Sequence, residues 1–120
     1  MDLNQTIENI ILIPRRYREI STRSAVTLVK ETGYALWADQ ITQDLIFDAL
    51  KAFPEEISEW MHWSDNKRVN EGWYFYQSDE SKYVVGYLGT NNSDTFFSDR
   101  NLACASFIKK EIDQISGIES

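Results

Sequence analysis

The stretch WYFYQSDESKYVVGYL, residues 73–88, decides the fold of this chain. Its two ends are rich in aromatic and β-branched residues, which favour β-strands. The polar segment SDES between them has the composition of a turn. The sequence therefore predicts a β-hairpin, in which alternation places Trp73 and Phe75 on one face and Tyr74 and Tyr76 on the other.

The residues that follow the hairpin predict a short third strand and a final helix. Residues 89–94 are polar and typical of a loop, and we expect a strand over residues 95–97. Ser98 is the predicted N-cap of the helix, because its hydroxyl can accept hydrogen bonds from first-turn amides. Gly117 suits the left-handed position after the last turn. A small sheet needs cover on at least one face, so we expect this helix to pack on it.

The chain before the hairpin has the 3.6-residue periodicity of helices. Pro14 is predicted to end the first helix, since the residue before a proline disfavours the α region, and residues 15–18 then form a basic connector. The pattern of residues 34–41 is ambiguous. The second helix is predicted to begin near Ser21 or Thr22. The predicted helices cover residues 3–12, 21–32, 42–53 and 57–64.

Helices followed by strands are the pattern of an α+β fold rather than of a doubly wound sheet. We therefore predict about four N-terminal helices, a two- or three-stranded antiparallel meander, and a C-terminal helix packed on the sheet. The length of 120 residues fits one α+β domain spanning residues 1–120. A chain of this size can bury a core without disulfides or metals.

Composition limits the location and the class of partner. The single cysteine cannot form an internal disulfide, and small secreted domains usually have several, so we expect a reducing, cytoplasmic location. Apolar runs are only a few residues long, far short of the ~20 that cross a bilayer, so we expect no membrane partner. The net charge of −7 argues against nucleic acid, because phosphate binding requires a basic surface.

The negative charge is concentrated in the middle of the chain. Residues 1–30 have a net charge of +2, residues 31–66 of −7 and residues 67–120 of −2. These carboxylates suit either an ordinary solvated surface or one that attracts a basic protein by complementary charge. The leading hypothesis is a non-enzymatic, immunity-like or inhibitor-like domain that binds a basic partner. The predicted partner-binding residues are Asp44, Asp48, Glu55, Glu56 and Glu59.

An arginine-rich segment provides the alternative hypothesis, a small-molecule or anion-binding module. Its ligand would be bound next to the open face of the hairpin. The predicted ligand-binding residues are Arg15, Arg16, Arg18, His62 and Arg68. The competing interpretation, which we favour, is that the arginines pair with the acidic middle third of the same domain. A third hypothesis is a helper domain that oligomerises or docks onto a larger complex, and the oligomeric state stays open.

No catalytic, cofactor or metal signature is recognisable in the sequence. His62 is the only histidine, and no nucleophile can be paired with it. Cys104 lies between alanines on the apolar face of the last helix, where we expect it to act as a small core residue. One histidine and one cysteine give no zinc spacing, and neither a calcium loop nor a phosphate loop is present. We therefore expect no cofactor and no metal, and we lean against an enzyme.

Several short motifs together resemble a family of small uncharacterised bacterial proteins. They are Ile13-Pro14-Arg15-Arg16-Tyr17, Ile20-Ser21-Thr22-Arg23-Ser24-Ala25, Gly72-Trp73-Tyr74-Phe75, Ser98-Asp99, Ala103-Cys104-Ala105 and Phe107-Ile108-Lys109. The resemblance spans nearly the whole chain and implies a bacterial cytosolic domain, with no assigned activity and no catalytic residues to carry over. In size, charge and architecture the chain is also similar to bacterial immunity proteins, which bind and block toxin domains.

Overall fold

The computed structural model describes residues 2–19, 24–66, 72–89 and 93–118. Within them the chain forms seven helices and three strands, so the fold is α+β as predicted. None of these helices is long and apolar enough to cross a membrane. In chain order the elements are α1 Leu3–Ile11, α2 Ile13–Glu19, α3 Ala25–Glu31, α4 Tyr34–Trp37, α5 Gln43–Leu50, α6 Glu56–Asn66, β1 Gly72–Asp79, β2 Lys82–Leu88, β3 Ser93–Phe97 and α7 Arg100–Ile115.

Pro14 lies in the first turn of a helix instead of ending one, which corrects the predicted basic connector. The first helix, α1, ends at Ile11, and α2 starts at Ile13. Proline is tolerated in a first turn because the amide that it lacks would have no partner inside the helix. The amide of Arg16 already donates to the carbonyl of Leu12 at 3.0 Å. The arginines of this segment are therefore helical. Arg15 and Arg18, which are three residues apart, lie on the same face of α2.

Side-chain caps set the starts of the later helices. The hydroxyl of Thr42 accepts a hydrogen bond from a first-turn amide of α5 at 3.3 Å, as predicted. The last helix, α7, is capped by Asp99 rather than by the predicted Ser98, and the Asp99 carboxylate accepts the capping bond at 3.1 Å. A carboxylate also interacts favourably with the positive end of the helix dipole, which makes aspartate a strong cap at this position.

The segment between α3 and α5 differs from the prediction in detail. Gly33 has a φ of 82° and follows the last turn of α3, as predicted for a left-handed glycine. The ambiguous residues 34–41 contain the short helix α4. The N-cap of α3 is Ser24, whereas the predicted start near Ser21 or Thr22 lies outside the described residues.

The strands form an antiparallel meander in the order β1-β2-β3. Phe75 and Val85 are paired in register and both belong to the core, so the alternate side chains point to the opposite face. The third strand starts at Ser93 rather than at residue 95, because Ser93 already pairs with β2. At the other edge, the hydroxyl of Ser64 on α6 accepts a hydrogen bond from the amide of Phe75 at 2.8 Å. Helix α6 therefore engages the edge of β1.

Helices cover one face of the sheet in two layers. Helix α7 packs on all three strands and α6 packs on β1, while α5 contacts α7. The predicted packing of the C-terminal helix on the sheet is therefore confirmed. The ring of Trp60 lies 5.7 Å from that of Trp63 and 6.1 Å from that of Phe107, which in turn contacts Phe75 at 5.8 Å. Cys104 is buried in this core as predicted.

Candidate functional site

Two ion pairs join α2 to α6. Nη2 of Arg15 lies 2.6 Å from Oε1 of Glu56, and Nε of Arg15 donates to the same oxygen at 2.7 Å. Nη1 of Arg18 lies 2.8 Å from Oε2 of Glu59. Residues three apart share a helix face, so the two pairs run side by side. The favoured interpretation of the arginines, that they pair with the acidic middle third, is confirmed for these two.

Glu56 lies inside the protein rather than on an acidic surface. It is only 1% exposed, and its Oε2 atom has no hydrogen-bond partner among the described residues. A buried carboxylate needs a nearby cation, because an unpaired charge is costly to remove from water. The hydrogen bond to Glu56 is also the main cause that raises the pKa of Arg15. Glu56 is therefore a structural residue and does not belong to an exposed partner-binding set.

We expect Arg15→Met to destabilise the fold more than Arg18→Met. Arg15→Met leaves the buried carboxylate of Glu56 without its cation. Arg18→Met leaves the carboxylate of Glu59 without its cation, but water reaches this carboxylate more easily. Thermal unfolding followed by circular dichroism should therefore give the lower melting temperature for the Arg15 variant. Adding Glu56→Gln to Arg15→Met should restore part of the loss, because it removes the buried charge. Equal melting temperatures for the two single variants would contradict this explanation.

Three carboxylates of the predicted set remain on the surface. Asp44 and Asp48 lie one turn apart on α5, and Glu55 immediately precedes α6. The carboxylate of Asp48 lies 3.3 Å from Nζ of Lys51, and an exposed pair of this kind contributes little energy. Within the described part of the chain, Asp44 and Glu55 form no ion pair. Leu45 is exposed next to Asp44, so the surface has an apolar component as well.

Two of the five residues proposed for the alternative anion site are already paired. The guanidinium groups of Arg15 and Arg18 are engaged by carboxylates on α6. Arg16 is half-buried on α2, and His62 is exposed on α6. Arg68 lies outside the described residues. Because Arg15 and Arg18 are paired, α2 does not present the cluster of three available arginines that the anion hypothesis requires.

A buried polar network links α4 to α7. The hydroxyl of Tyr34 donates to Oδ1 of Asp113. Nζ of Lys109 donates to the Tyr34 oxygen at 2.5 Å and to the carbonyl of Ala38 at 3.1 Å. Burial is the main cause that raises the pKa of Tyr34, and the hydrogen bond to Asp113 adds to it. Sequence reasoning missed this network because Tyr34 and Asp113 are 79 residues apart, and only the spacing of Lys109 and Asp113 on α7 hinted at it.

Cys104 is unsuited to be a nucleophile. Burial raises the pKa of its thiol, so the reactive thiolate does not form at neutral pH. In the described segments, no group of three histidine, cysteine, aspartate or glutamate side chains could hold a metal ion.

A scan against protein-family models found no match for this chain, and searches of the curated proteins and of the solved structures likewise found none. The resemblance to uncharacterised bacterial proteins therefore stays an expectation from the sequence motifs. Function has to be inferred from the residues on the surface of the fold.

Proposed function

We propose that this chain is a non-enzymatic protein-binding domain of the bacterial cytoplasm, immunity-like or inhibitor-like, that engages a basic protein. Its binding surface is formed by Asp44, Asp48 and Glu55. The supporting observation is that these three carboxylates are exposed and do not pair with Arg15 or Arg18, which form ion pairs with Glu56 and Glu59. The lone cysteine supports the cytoplasmic location.

Repulsion within this surface favours a cationic partner. Asp44 and Asp48 are four residues apart, and like charges at that spacing destabilise a helix by about 0.2–0.5 kcal/mol. A basic partner relieves the repulsion, and the attraction between the two surfaces raises the association rate. Leu45 supplies apolar area at the same place, and such area stabilises a complex once water is excluded. The carboxylates therefore control the association rate, and Leu45 slows dissociation.

The test compares the wild type with the variant Asp44→Asn/Asp48→Asn/Glu55→Gln. The partner is captured from a host lysate on the immobilised wild-type protein, identified by mass spectrometry and purified. Association of the purified pair is then followed by stopped-flow fluorescence over a range of salt concentrations. Because electrostatic steering changes on-rates by about 10–10³-fold, we expect the triple variant to associate at least about tenfold more slowly at low salt. Its association rate should also depend less on salt.

A matched variant distinguishes the effect of this surface on the association rate from the effect of the total net charge. Glu8→Gln/Glu19→Gln/Asp65→Asn removes the same charge from three other exposed positions. We expect it to associate like the wild type. Equal slowing in both triple variants would assign the effect to net charge alone. Unchanged association in the Asp44, Asp48 and Glu55 variant, or a captured partner that is acidic, would show that the proposal is wrong.

A further inference from the structure

No described helix covers the second face of the sheet. Helices α6 and α7 pack on the face that carries Phe75 and Val85. Alternation along the strands and the register between them place the other side chains on the opposite face. This outer face is formed by Tyr74, Tyr76, Val84, Gly86, Asp94 and Phe96.

Much of the outer face is aromatic and apolar. Phe96 is 62% exposed and Tyr76 is 42% exposed, and Leu88 at the end of β2 is 47% exposed. Val84 lies between Tyr76 and Phe96 in the register and is fully buried, although it is not part of the core beneath the helices. Tyr76 and Phe96 flank it on the two neighbouring strands. Contiguous exposed apolar groups with polar neighbours are typical of interaction sites.

A carboxylate is held in position on this face. The hydroxyl of Tyr74 donates to Oδ1 of Asp94 across Gly86 on the central strand. A Cβ atom at residue 86 would overlap both groups, so the bridge depends on glycine at this position. The hydrogen bond to Asp94 is the main cause that raises the pKa of Tyr74 to about 12. The hydroxyl therefore remains a donor at neutral pH, and the carboxylate stays fixed beside the aromatic rings.

The charge of the sheet is complementary to a cation. Residues 72–89 and 93–97 contain the carboxylates of Asp79, Glu80 and Asp94 but one cation, Lys82. Alternation places Lys82 at the turn end of the same face, where the two carboxylates of Asp79 and Glu80 leave the local charge negative. Aromatic rings add to the attraction, because their faces carry partial negative charge. An anionic ligand would meet repulsion on this face, and a cationic one would be attracted.

We propose that the outer face binds an arginine side chain of the basic partner. A guanidinium can stack on an aromatic ring and donate to a carboxylate at the same time, and it is more weakly hydrated than an ammonium. Its methylene groups can lie along the apolar surface near Phe96. The inference relies on the proposed function only for the class of partner, because α7 lies between the sheet and α5 and the two surfaces are separate.

The test is a titration of the isotope-labelled protein with three peptides, followed by amide chemical shifts. The peptides are blocked tetra-arginine, tetra-lysine and tetra-citrulline, the last being a neutral analogue of the first. We expect tetra-arginine to shift amides of all three strands around residues 74–76, 84–86 and 94–96. From the size of cation–π contributions, it should bind about two- to fivefold more tightly than tetra-lysine. Tetra-citrulline should not bind.

Two conservative variants test the residues of the outer face. Asp94→Asn keeps an acceptor for the Tyr74 hydroxyl but removes the charge, and it should weaken tetra-arginine binding about fivefold or more. Phe96→Leu keeps apolar cover over Val84 but removes the ring, and it should weaken binding about two- to fivefold. Melting temperatures close to that of the wild type would show that both variants are folded. Asp44→Asn/Asp48→Asn on α5 should leave the strand shifts unchanged.

Several outcomes would overturn the inference. They are shifts confined to α5, equal binding of tetra-citrulline, or unchanged binding to Asp94→Asn. A dimer in sedimentation velocity that Phe96→Leu dissociates would assign the face to a second copy of this chain instead. The two proposals can fail separately, because the peptide titration reports on the sheet and the association rates of the α5 variants report on the helical surface.

Discussion

Trp60→Ala is expected to cause the largest loss of stability of any single change considered for this protein. The Trp60 side chain is fully buried, its ring contacts Trp63 and Phe107, and its indole nitrogen donates to the carbonyl of Ile11 at 3.0 Å. It therefore joins α6 to α7 and to the end of α1. Truncating a buried tryptophan to alanine costs about 3–5 kcal/mol. Single domains are stable by about 5–15 kcal/mol in total, so a large part of the stability disappears.

Urea unfolding of the two proteins measures this loss. The variant should unfold at a much lower urea concentration, or be largely unfolded without urea. Trp60→Phe is the matched control, because it keeps an aromatic ring in the core but leaves the carbonyl of Ile11 without its donor. Its loss should be smaller, at about 1–3 kcal/mol for an unsatisfied buried acceptor. A midpoint for Trp60→Ala close to that of the wild type would contradict the central role of this residue.

Alkaline pH is expected to destabilise the fold strongly, because two buried acids resist ionisation in the native state. Burial raises the pKa of the Cys104 thiol above its ordinary value of 9.0. Burial, together with the hydrogen bond to Asp113, raises the pKa of Tyr34 above its ordinary value of 10.0. In the unfolded chain both groups lose their protons near these ordinary values. Above them the unfolded state binds fewer protons than the native state, so stability falls as the pH rises.

Between its ordinary pKa and its pKa in the folded protein, each buried acid lowers the free energy of unfolding by about 1.4 kcal/mol per pH unit. The stability should therefore begin to decrease near pH 9.0, where Cys104 titrates in the unfolded chain, and decrease more steeply above pH 10.0, where Tyr34 joins it. Below these values the contribution is constant. The measurement is the free energy of unfolding in urea at a series of alkaline pH values.

Variants identify the groups responsible. Cys104→Ala should remove the decrease between pH 9.0 and pH 10.0 and lessen the slope above it, whereas Tyr34→Phe should remove only the additional steepness above pH 10.0. Tyr17→Phe changes an exposed tyrosine and should leave the pH dependence as in the wild type. A pH dependence that is identical in all three variants would mean that neither buried group causes it.

The elements of this fold could be predicted where the sequence is periodic. The two arms of the hairpin are rich in aromatic and β-branched residues around a polar turn, and the long final helix has a continuous apolar stripe, so their positions follow from local pattern alone. Pro14 shows the limit, because a proline fits the first turn of a helix as well as the residue after one. The sequence pattern does not distinguish the two cases. The hydrogen bond from the Arg16 amide to the Leu12 carbonyl shows that Pro14 lies in the first turn of a helix.

The candidate surfaces could be predicted only in part. Exposed carboxylates on α5 follow from helical periodicity, and Asp44 and Asp48 are found where expected. The burial of Glu56 depends on Arg15, which is 41 residues away, and no local pattern contains that pairing. The bridge from Tyr74 to Asp94 likewise requires three strands in register. Long-range contacts of this kind arise from packing, so residues that serve the interior and residues that serve a partner look alike in the sequence.

The hydrogen bond from the Phe75 amide to Ser64 has a consequence for self-assembly. Chains that associate by adding strand to strand need a free edge on each molecule, and open-ended fibres need two. On β1, α6 already lies alongside and one edge amide is engaged, so addition there is blocked. Among the described strands, the edge of β3 is the one left for a neighbour's strand. Pairing of two chains through β3 would occupy this edge in both molecules. Assembly through the sheet would then stop at a dimer and would not continue into a fibre.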